Sequence, residues 1–427
     1  MRQLLFRPPL FLLTGFAWLV LSSLVGLFLF LSMTRSIPLP PMLRLLHVHG
    51  ALIGGVAQMI LGAMLAFIPP LLMTGRDRSN SHPVLFTLIN LGTIGVLIGF
   101  SLQNYTIIGV SGLFVLMAFV SLLSDAVRQS RSSLMSPPLN LWFYGVALMA
   151  LLAGLSMGLA MAFRLLPVTF LGQGRLAHIH LNLLGFVTLT IIGTMHNLFP
   201  TVLNARLHSP RLARLTFFIL PLGVVLLVTG FLLSNLWVQI GAGATLFAGV
   251  LIYSYNIART WMDAGRSSTI AVDHFLLATL FLMLAVPAGI LVSVNFLWDP
   301  PGVPFGRLHL VAYTHLALIG FILQTIFGAL SHLLPMSLAV GRVPGHKKRG
   351  PYLATLIAIA ERWRIMQVAT LTLGTIGLAL VAALVWQYSL GSAVVQVASW
   401  ITAAFLFIGV ALFGAKVALL LVQRPPA

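Results

Sequence analysis

The chain has 427 residues, of which 59% are hydrophobic and only 7% are charged, and its mean hydropathy is +1.05. Soluble domains carry about 25% charged residues, so the composition excludes an ordinary soluble fold and predicts an integral membrane protein. The absence of cysteine excludes disulfides, thiolate metal sites and cysteine nucleophiles. The net charge of +18 comes from basic residues that lie between apolar runs. This distribution indicates that the positive charge orients the spans in the membrane and does not bind nucleic acid.

Twelve apolar runs are each long enough to cross a bilayer, which needs about 20 residues. The first run is too long for the apolar part of a signal peptide, so we expect it to remain as a span. The predicted spans 1 to 12 are 11–33, 45–70, 83–103, 105–124, 139–163, 176–200, 215–233, 237–257, 271–293, 308–335, 366–386 and 395–421.

The basic residues predict the orientation of these spans. With the N-terminus in the cytoplasm, nineteen of the 24 Lys and Arg residues lie on the cytoplasmic side, among them Arg2, Arg7, Arg76 and Arg78. The other five are Arg35, Arg44, Arg164, Arg175 and Arg307. This bias predicts a multi-pass protein of a bacterial-type inner (cytoplasmic) membrane with both termini in the cytoplasm.

An internal repeat of the form H-x4-G-x7-G-x6-P occurs three times, at 49–69, 180–200 and 315–335. The copies fall on spans 2, 6 and 10 with the same internal spacing. We therefore expect an all-α integral membrane fold of twelve transmembrane helices in three pseudo-symmetric four-helix arcs, 1–131, 132–265 and 266–427. These arcs form a single membrane domain around an axis along the membrane normal.

The glycines and prolines of the repeat have structural interpretations. Gly54 and Gly62 are about two helical turns apart and so lie near one face, where small residues let helices approach closely. A flat macrocycle against the helix would need the same small residues. The prolines Pro69, Pro200 and Pro335 are expected to mark the cytoplasmic helix ends.

Histidines near the external ends of these spans are the candidate ligands. Ionisable residues in membrane spans are costly and suggest function, and neutral imidazole binds haem iron well. The competing interpretation is an interhelical hydrogen bond, worth about 1 kcal/mol. The candidates are His47, His49, His178, His180 and His315, with Tyr313, His196 and His332 as secondary candidates.

Helix geometry separates the two members of each His-x-His pair. Residues two apart point about 200° apart around an α-helix, so His47 and His49 face different neighbours, as do His178 and His180. One haem cannot take both members from the same side. Such a pair suits a helix wedged between two sites.

The segment 315–335, HLALIGFILQTIFGALSHLLP, resembles helix 10 of the catalytic subunit of haem–copper oxidases, and 178–200, HIHLNLLGFVTLTIIGTMHNLFP, resembles it more closely. The resemblance implies that His315 is a low-spin haem ligand, with His47 or His49 as its partner. The alternatives on span 2 stay open. The resemblance extends to the twelve-span architecture, while the sequence similarity is strong only on spans 2, 6 and 10.

Several positions depart from that family. Tyr313 stands where the family has its high-spin haem ligand, span 7 contains no histidine, and span 6 has no His-Pro-Glu-x-Tyr run. Copper is therefore doubtful, and we expect a divergent member with no three-imidazole copper site. The six acidic residues lie mostly in loops, which leaves His196 and His332 as the only expected buried titratable groups on the cytoplasmic side.

We therefore expect a membrane haem protein that resembles the catalytic subunit of cytochrome c oxidase or nitric oxide reductase. It would bind at least one bis-histidine haem, of b type, for respiratory electron transfer or diatomic gas chemistry, and any enzymatic activity would be that of an oxidoreductase. Its expected partners are the lipid bilayer, a cytochrome or quinol electron donor and companion membrane subunits. The alternative is a cofactor-free polytopic transporter that uses intramembrane histidines.

One basic segment also bears on partners. Residues 342–364 carry a cluster of Lys and Arg and are expected on the cytoplasmic side. They are predicted to lie on anionic lipid headgroups or to dock a partner.

Overall fold

The computed structural model describes residues 8–74, 81–343 and 345–425. Within these ranges the regular elements are all helical, and twelve helices are long and apolar enough to cross a membrane. The predicted twelve-span, all-helical membrane fold is therefore confirmed. Arg2, Arg7, Arg76, Asp77 and Arg78, used or weighed in the sequence analysis, lie outside the described residues.

The helix bounds agree with the predicted spans to within a few residues at most ends. The larger differences are at the start of span 6 and at the ends of spans 4, 8 and 10, which the structure extends. Spans 1 to 12 are Pro8–Thr34, Met42–Leu71, His82–Ser101, Tyr105–Ser132, Leu139–Ala162, Val168–Val202, Pro210–Leu232, Leu236–Asp263, Ile270–Asn295, Arg307–Arg342, Arg364–Leu384 and Ala393–Val422.

A shorter helix, His346–Glu361, fills most of the predicted basic segment, and we call it the basic helix. It contacts spans 10 and 12. The buried Tyr352 hydroxyl donates a hydrogen bond to the carbonyl oxygen of Gln423 at 2.8 Å and accepts one from the Arg342 guanidinium at 3.0 Å. Lys347 and Lys348 are exposed. One face of the basic helix is thus docked on the protein while its lysines stay accessible, and their contact with headgroups stays a prediction.

The chain forms two compact units. Unit 1 holds spans 2 to 5 and most of spans 1, 6 and 7. Unit 2 holds spans 9 to 12, the basic helix and most of span 8. The division into three arcs around one axis stays a prediction, but local features of the repeat recur in both units.

The second glycine of each repeat copy packs against a phenylalanine of the preceding span. A Cβ atom added to Gly62 would lie 2.5 Å from the Cβ of Phe11, so no side chain fits there. The three pairs are Gly62 with Phe11, Gly193 with Phe143 and Gly328 with Phe275. These phenylalanines are themselves 132 residues apart, which extends the repeat to spans 1, 5 and 9. Close helix approach is therefore what these glycines provide.

The prolines follow the prediction in two copies only. Pro69 and Pro200 lie two residues before the ends of their helices, whereas Pro335 lies seven residues before the end of span 10 at Arg342. The expectation for Pro335 was wrong. This proline is buried, and neighbouring helices can hold a helix together across the hydrogen bond that a proline removes.

The glycine packing predicts a difference between two Gly→Ala variants. Gly193→Ala should lower the free energy of unfolding by about 1 to 3 kcal/mol, because the new methyl group overlaps Phe143. Gly414→Ala on span 12 is the matched control, since its Cβ would meet nothing within 4 Å. Thermal unfolding of the purified variants in detergent measures both effects. Equal unfolding midpoints for the two variants would contradict the packing described here.

Candidate functional site

Each copy of the repeat changes from α-helix to π-helix directly after its histidine. The π-helical segments are Gly50–Ala57, Leu181–Thr188 and Leu316–Leu323, and they follow His49, His180 and His315. These segments are not among the predicted features. Long π-helical stretches are rare, and short ones occur frequently at functional sites. Three π-helical segments at equivalent positions in one chain therefore indicate that the adjacent histidines belong to a candidate functional site.

The spacing of the repeat motif accounts for the π-helix. The histidine and first glycine of each copy are five residues apart, and π-helical hydrogen bonds join residues i and i+5. In an α-helix, residues five apart would point about 140° apart. The wider π turn brings the histidine and the glycine toward the same face. The H-x4-G spacing was thus a signal for the π segment.

Contacts in the first copy place His49 and Gly54 against the same neighbouring span. The His49 ring lies 4.6 Å from the Phe100 ring of span 3, measured between centroids. A Cβ added to Gly54 would lie 2.9 Å from Thr93 of the same span. Thr93 and Phe100 are seven residues apart, about two helical turns, and so share one face.

The second copy repeats this arrangement with equivalent residues. The His180 ring lies 4.5 Å from the Phe231 ring of span 7, and a Cβ on Gly185 would lie 3.6 Å from Val224 of that span. Phe231 and Val224 are each 131 residues after their counterparts on span 3, as His180 is after His49. The repeat therefore extends to spans 3 and 7.

The second-position histidines donate a hydrogen bond to a carbonyl oxygen of their own helix. In each case Nδ1 lies 2.7 to 2.9 Å from the carbonyl oxygen four residues earlier. The pairs are His49 with Leu45, His180 with Leu176 and His315 with Val311. Because a carbonyl oxygen can only accept, Nδ1 carries the proton, and the lone pair of the neutral ring lies on Nε2.

The first-position histidines make the same kind of bond to the preceding span. His47 Nδ1 lies 2.7 Å from the carbonyl oxygen of Ser22, and His178 Nδ1 lies 2.7 Å from that of Gly154. Each ring also rests on a glycine, Gly26 or Gly158, where a Cβ would be 2.5 or 2.8 Å from the ring. These contacts fix the ring orientation.

Tyr313 takes the first position in the third copy. A Cβ on Gly289 of span 9 would lie 2.8 Å from the Tyr313 hydroxyl oxygen, so this side chain also rests on a glycine of the preceding span. The structure therefore places Tyr313 as the counterpart of His47 and His178.

The predicted separation of the His-x-His pairs is confirmed within unit 1. His47 contacts span 1 and His49 contacts span 3, while His178 contacts span 5 and His180 contacts span 7. His49 also lies near enough to His178 for an electrostatic interaction between the two rings. Imidazoles of spans 2 and 6 thus approach each other.

The secondary histidines lie elsewhere. His196 is buried, with its ring edge-on to Tyr253 at 5.6 Å, and His332 is half-buried. The expectation that these two would be the only buried titratable groups in their part of the spans was wrong. His274 is fully buried, about one turn after the start of span 9. Lys416 is 2% exposed and lies about two turns before the end of span 12. Sequence analysis missed them because each lies inside an apolar run with no repeated partner.

Among the described residues, no group of three or more His, Asp or Glu side chains is placed to hold a metal ion.

Comparisons with known proteins show a relative but no family. No family model matches the chain. An uncharacterized protein of Aquifex aeolicus (strain VF5) is 32% identical over 196 residues. The match covers 45% of this chain and 48% of the relative, so the chain matches about half of the relative's length.

The hydrogen bonds of the second-position histidines predict their tautomer. In protein prepared without cofactor, the ring of His180 should be neutral and protonated on Nδ1, because the Leu176 carbonyl accepts from that atom. Nitrogen-15 NMR of histidine-labelled protein distinguishes the two tautomers, and His180→Ala assigns the signal by its loss. Protonation on Nε2 would show that the ring cannot offer that atom to a metal.

Proposed function

We propose that this protein is a membrane haem protein that binds at least one bis-histidine haem, of b type, for electron transfer or diatomic gas chemistry. One observation carries the proposal. The five candidate imidazoles all direct Nδ1 at a backbone carbonyl oxygen, which leaves Nε2 as the ligand atom. Histidines that bind metals almost always donate their other ring N–H to a carbonyl or carboxylate in this way.

The accessibility of the rings fits the same ligand. All five imidazoles are half-buried, so each keeps a surface that a ligand can reach. A histidine that served only an interhelical hydrogen bond would need no such surface. His49, His180 and His315 gain nothing between helices from Nδ1, because each bonds within its own helix. The residues present therefore fit a haem better than a purely structural role.

The chain itself would orient and tune the histidines that would hold the haem. The bond to the i−4 carbonyl fixes the tautomer and raises the basicity of Nε2. Phe100 and Phe231, tilted at 44° and 43° to the rings of His49 and His180, restrict rotation of the imidazole planes. A bound haem would supply one-electron redox chemistry.

Tyr313 defines the kind of haem protein that we propose. An imidazole at this position would be a further ligand, but a tyrosine packed on Gly289 offers a neutral hydroxyl that donates a hydrogen bond. We therefore propose a protein related to cytochrome c oxidase or nitric oxide reductase catalytic subunits, without their full metal set. If it is an enzyme, it is an oxidoreductase.

The proposed setting follows from the fold and the charge distribution. We propose a location in a bacterial-type inner membrane with both termini in the cytoplasm, because basic residues are strongly enriched on that side. The proposed partners are a cytochrome or quinol electron donor and companion membrane subunits in a respiratory chain. The exposed lysines of the basic helix support contact with anionic headgroups.

An absorption spectrum tests the proposal. Protein purified from a haem-replete host should show a Soret band and a reduced-minus-oxidised difference spectrum of b type. His315→Ala should lose most of the band of one haem, because one of two axial ligands is removed. The resemblance predicts that either His47→Ala or His49→Ala loses the same band, and this comparison chooses between them.

The matched control is His208→Ala. His208 lies between spans 6 and 7, where Nδ1 is 2.6 Å from the carboxylate of Asp263, so it is a histidine outside the repeat. This variant should keep the full haem content. A wild-type protein that folds and contains no haem would reject the proposal and favour the cofactor-free transporter.

A further inference from the structure

A buried polar cluster lies in unit 2, apart from the repeat histidines. We call it the His274–Lys416 cluster. His274 donates from Nδ1 to the side-chain oxygen of Gln324, and its Nε2 accepts from the Gln367 amide at 2.8 Å. The Gln324 amide donates in turn to the Thr372 hydroxyl at 3.1 Å. His274, Gln324 and Gln367 are fully buried, on spans 9, 10 and 11.

Lys416 adds a cation to this cluster from span 12. Its side chain is 2% exposed, and Nζ has no hydrogen-bond partner within the described part of the chain. The side-chain oxygen of Gln367 likewise has none among the described residues. Lys416 interacts electrostatically with both His274 and Glu361. An isolated buried ammonium is costly, so a lysine here needs a function or a compensating charge.

Compensating charges lie at the exposed rim of the cluster. Asp273 is bonded to Arg364 at 2.7 Å, and the Glu361 carboxylate accepts from the backbone N–H of Ile270 at 3.0 Å. The side chains of Asp273, Arg364 and Glu361 are 26%, 27% and 31% exposed. Two carboxylates and one guanidinium carry a net charge of −1. One proton shared by Lys416 and His274 makes the whole group neutral.

The elements that pack around the cluster carry other ionisable groups. Arg342 at the end of span 10 bonds the carbonyl oxygens of Leu421 and Gln423 at 2.8 Å, beyond the end of the cluster. Among the described side chains, the other ionisable groups on span 10 and around the basic helix are Arg307, His309, Tyr313, His315, His332, Lys347, Lys348, Arg349, Tyr352 and Arg362.

The rim decides which occupant the cluster can take. Two carboxylates at the entrance oppose the approach of an anion, and the buried lysine opposes a metal cation. Both features are compatible with a proton, which the carboxylates can relay from water. We propose that Lys416 and His274 form a buried proton-exchange site, reached from the membrane surface through Asp273 and Glu361.

The hydrogen bonds of His274 allow this side chain to take up a second proton. When Lys416 is charged, neutral His274 accepts from the Gln367 amide at Nε2. When Lys416 gives up its proton and His274 gains one on Nε2, the Gln367 amide must rotate to present its oxygen to the new N–H. That oxygen has no other partner among the described residues, so the rotation breaks no other bond. His274 can therefore keep a partner at Nε2 in both of its charge states.

The three lysines of the chain make a direct test practicable. Nitrogen-15 NMR of full-length protein labelled at lysine Nζ in lipid should give three signals, since the others are Lys347 and Lys348. The variant with Lys347→Arg and Lys348→Arg changes only exposed side chains. Its one remaining lysine signal is that of Lys416. The Lys416 signal should change between the ammonium and amine forms at a pH different from that of the exposed lysines, within about pH 5 to 11.

Two further variants test the partners. Glu361→Gln keeps an acceptor for the Ile270 N–H but removes one negative charge, so it should move the pH at which Lys416 titrates. His274→Gln should move it as well, because the second base is lost. A Lys416 signal that stays in one form over this range, titrates together with Lys347 and Lys348, or ignores both variants would overturn the proposal. None of these outcomes depends on haem.

Discussion

The hydrogen bond from each candidate imidazole to a backbone carbonyl oxygen is the interaction on which the site depends. A membrane interior offers no water to satisfy a ring N–H, so every intramembrane histidine must find an internal acceptor. In the five candidate histidines Nδ1 finds a backbone carbonyl oxygen, either in its own helix, as in His49, or in the preceding span, as in His47. The lone pair on Nε2 is the chemical consequence.

The π-helical segments adapt the backbone to this arrangement. A strict α-helix cannot place a histidine and a glycine five residues later on one face, but a π turn brings them together. In the first two copies, the same neighbouring span then contacts both residues, through Phe100 and Thr93 or through Phe231 and Val224. The π-helical segment therefore determines both the close packing of the helices and the placement of the histidine ring, and the same arrangement recurs along the chain.

Much of the fold could be predicted from the sequence, because hydrophobic length and charge bias are strong signals in membrane proteins. The opposite directions of His47 and His49 also followed from helix geometry alone. The π-helical segments were not predicted, although the five-residue spacing of the H-x4-G motif matches the i to i+5 hydrogen bonds of a π-helix. His274 and Lys416 were missed for a different reason. Their importance comes from side chains of other spans, such as Gln324 and Gln367, which no pattern along one helix can reveal.

The resemblance to haem–copper oxidases and the geometry contribute different things. The resemblance suggests which histidines would share an iron in the proposed haem protein, while the geometry shows how each ring is oriented. Tyr313 shows that the repeat tolerates a residue other than histidine at a position that keeps its glycine contact with Gly289. Packing at this position is therefore retained where the imidazole is not.

Electron paramagnetic resonance of the oxidised protein tests the central claim most directly, because it reports the axial ligands of the iron. Two neutral imidazoles should give a low-spin ferric signal, and His315→Ala should convert that signal to high spin or abolish it. A purified, folded protein with only a high-spin signal, or with no iron at all, would contradict the account.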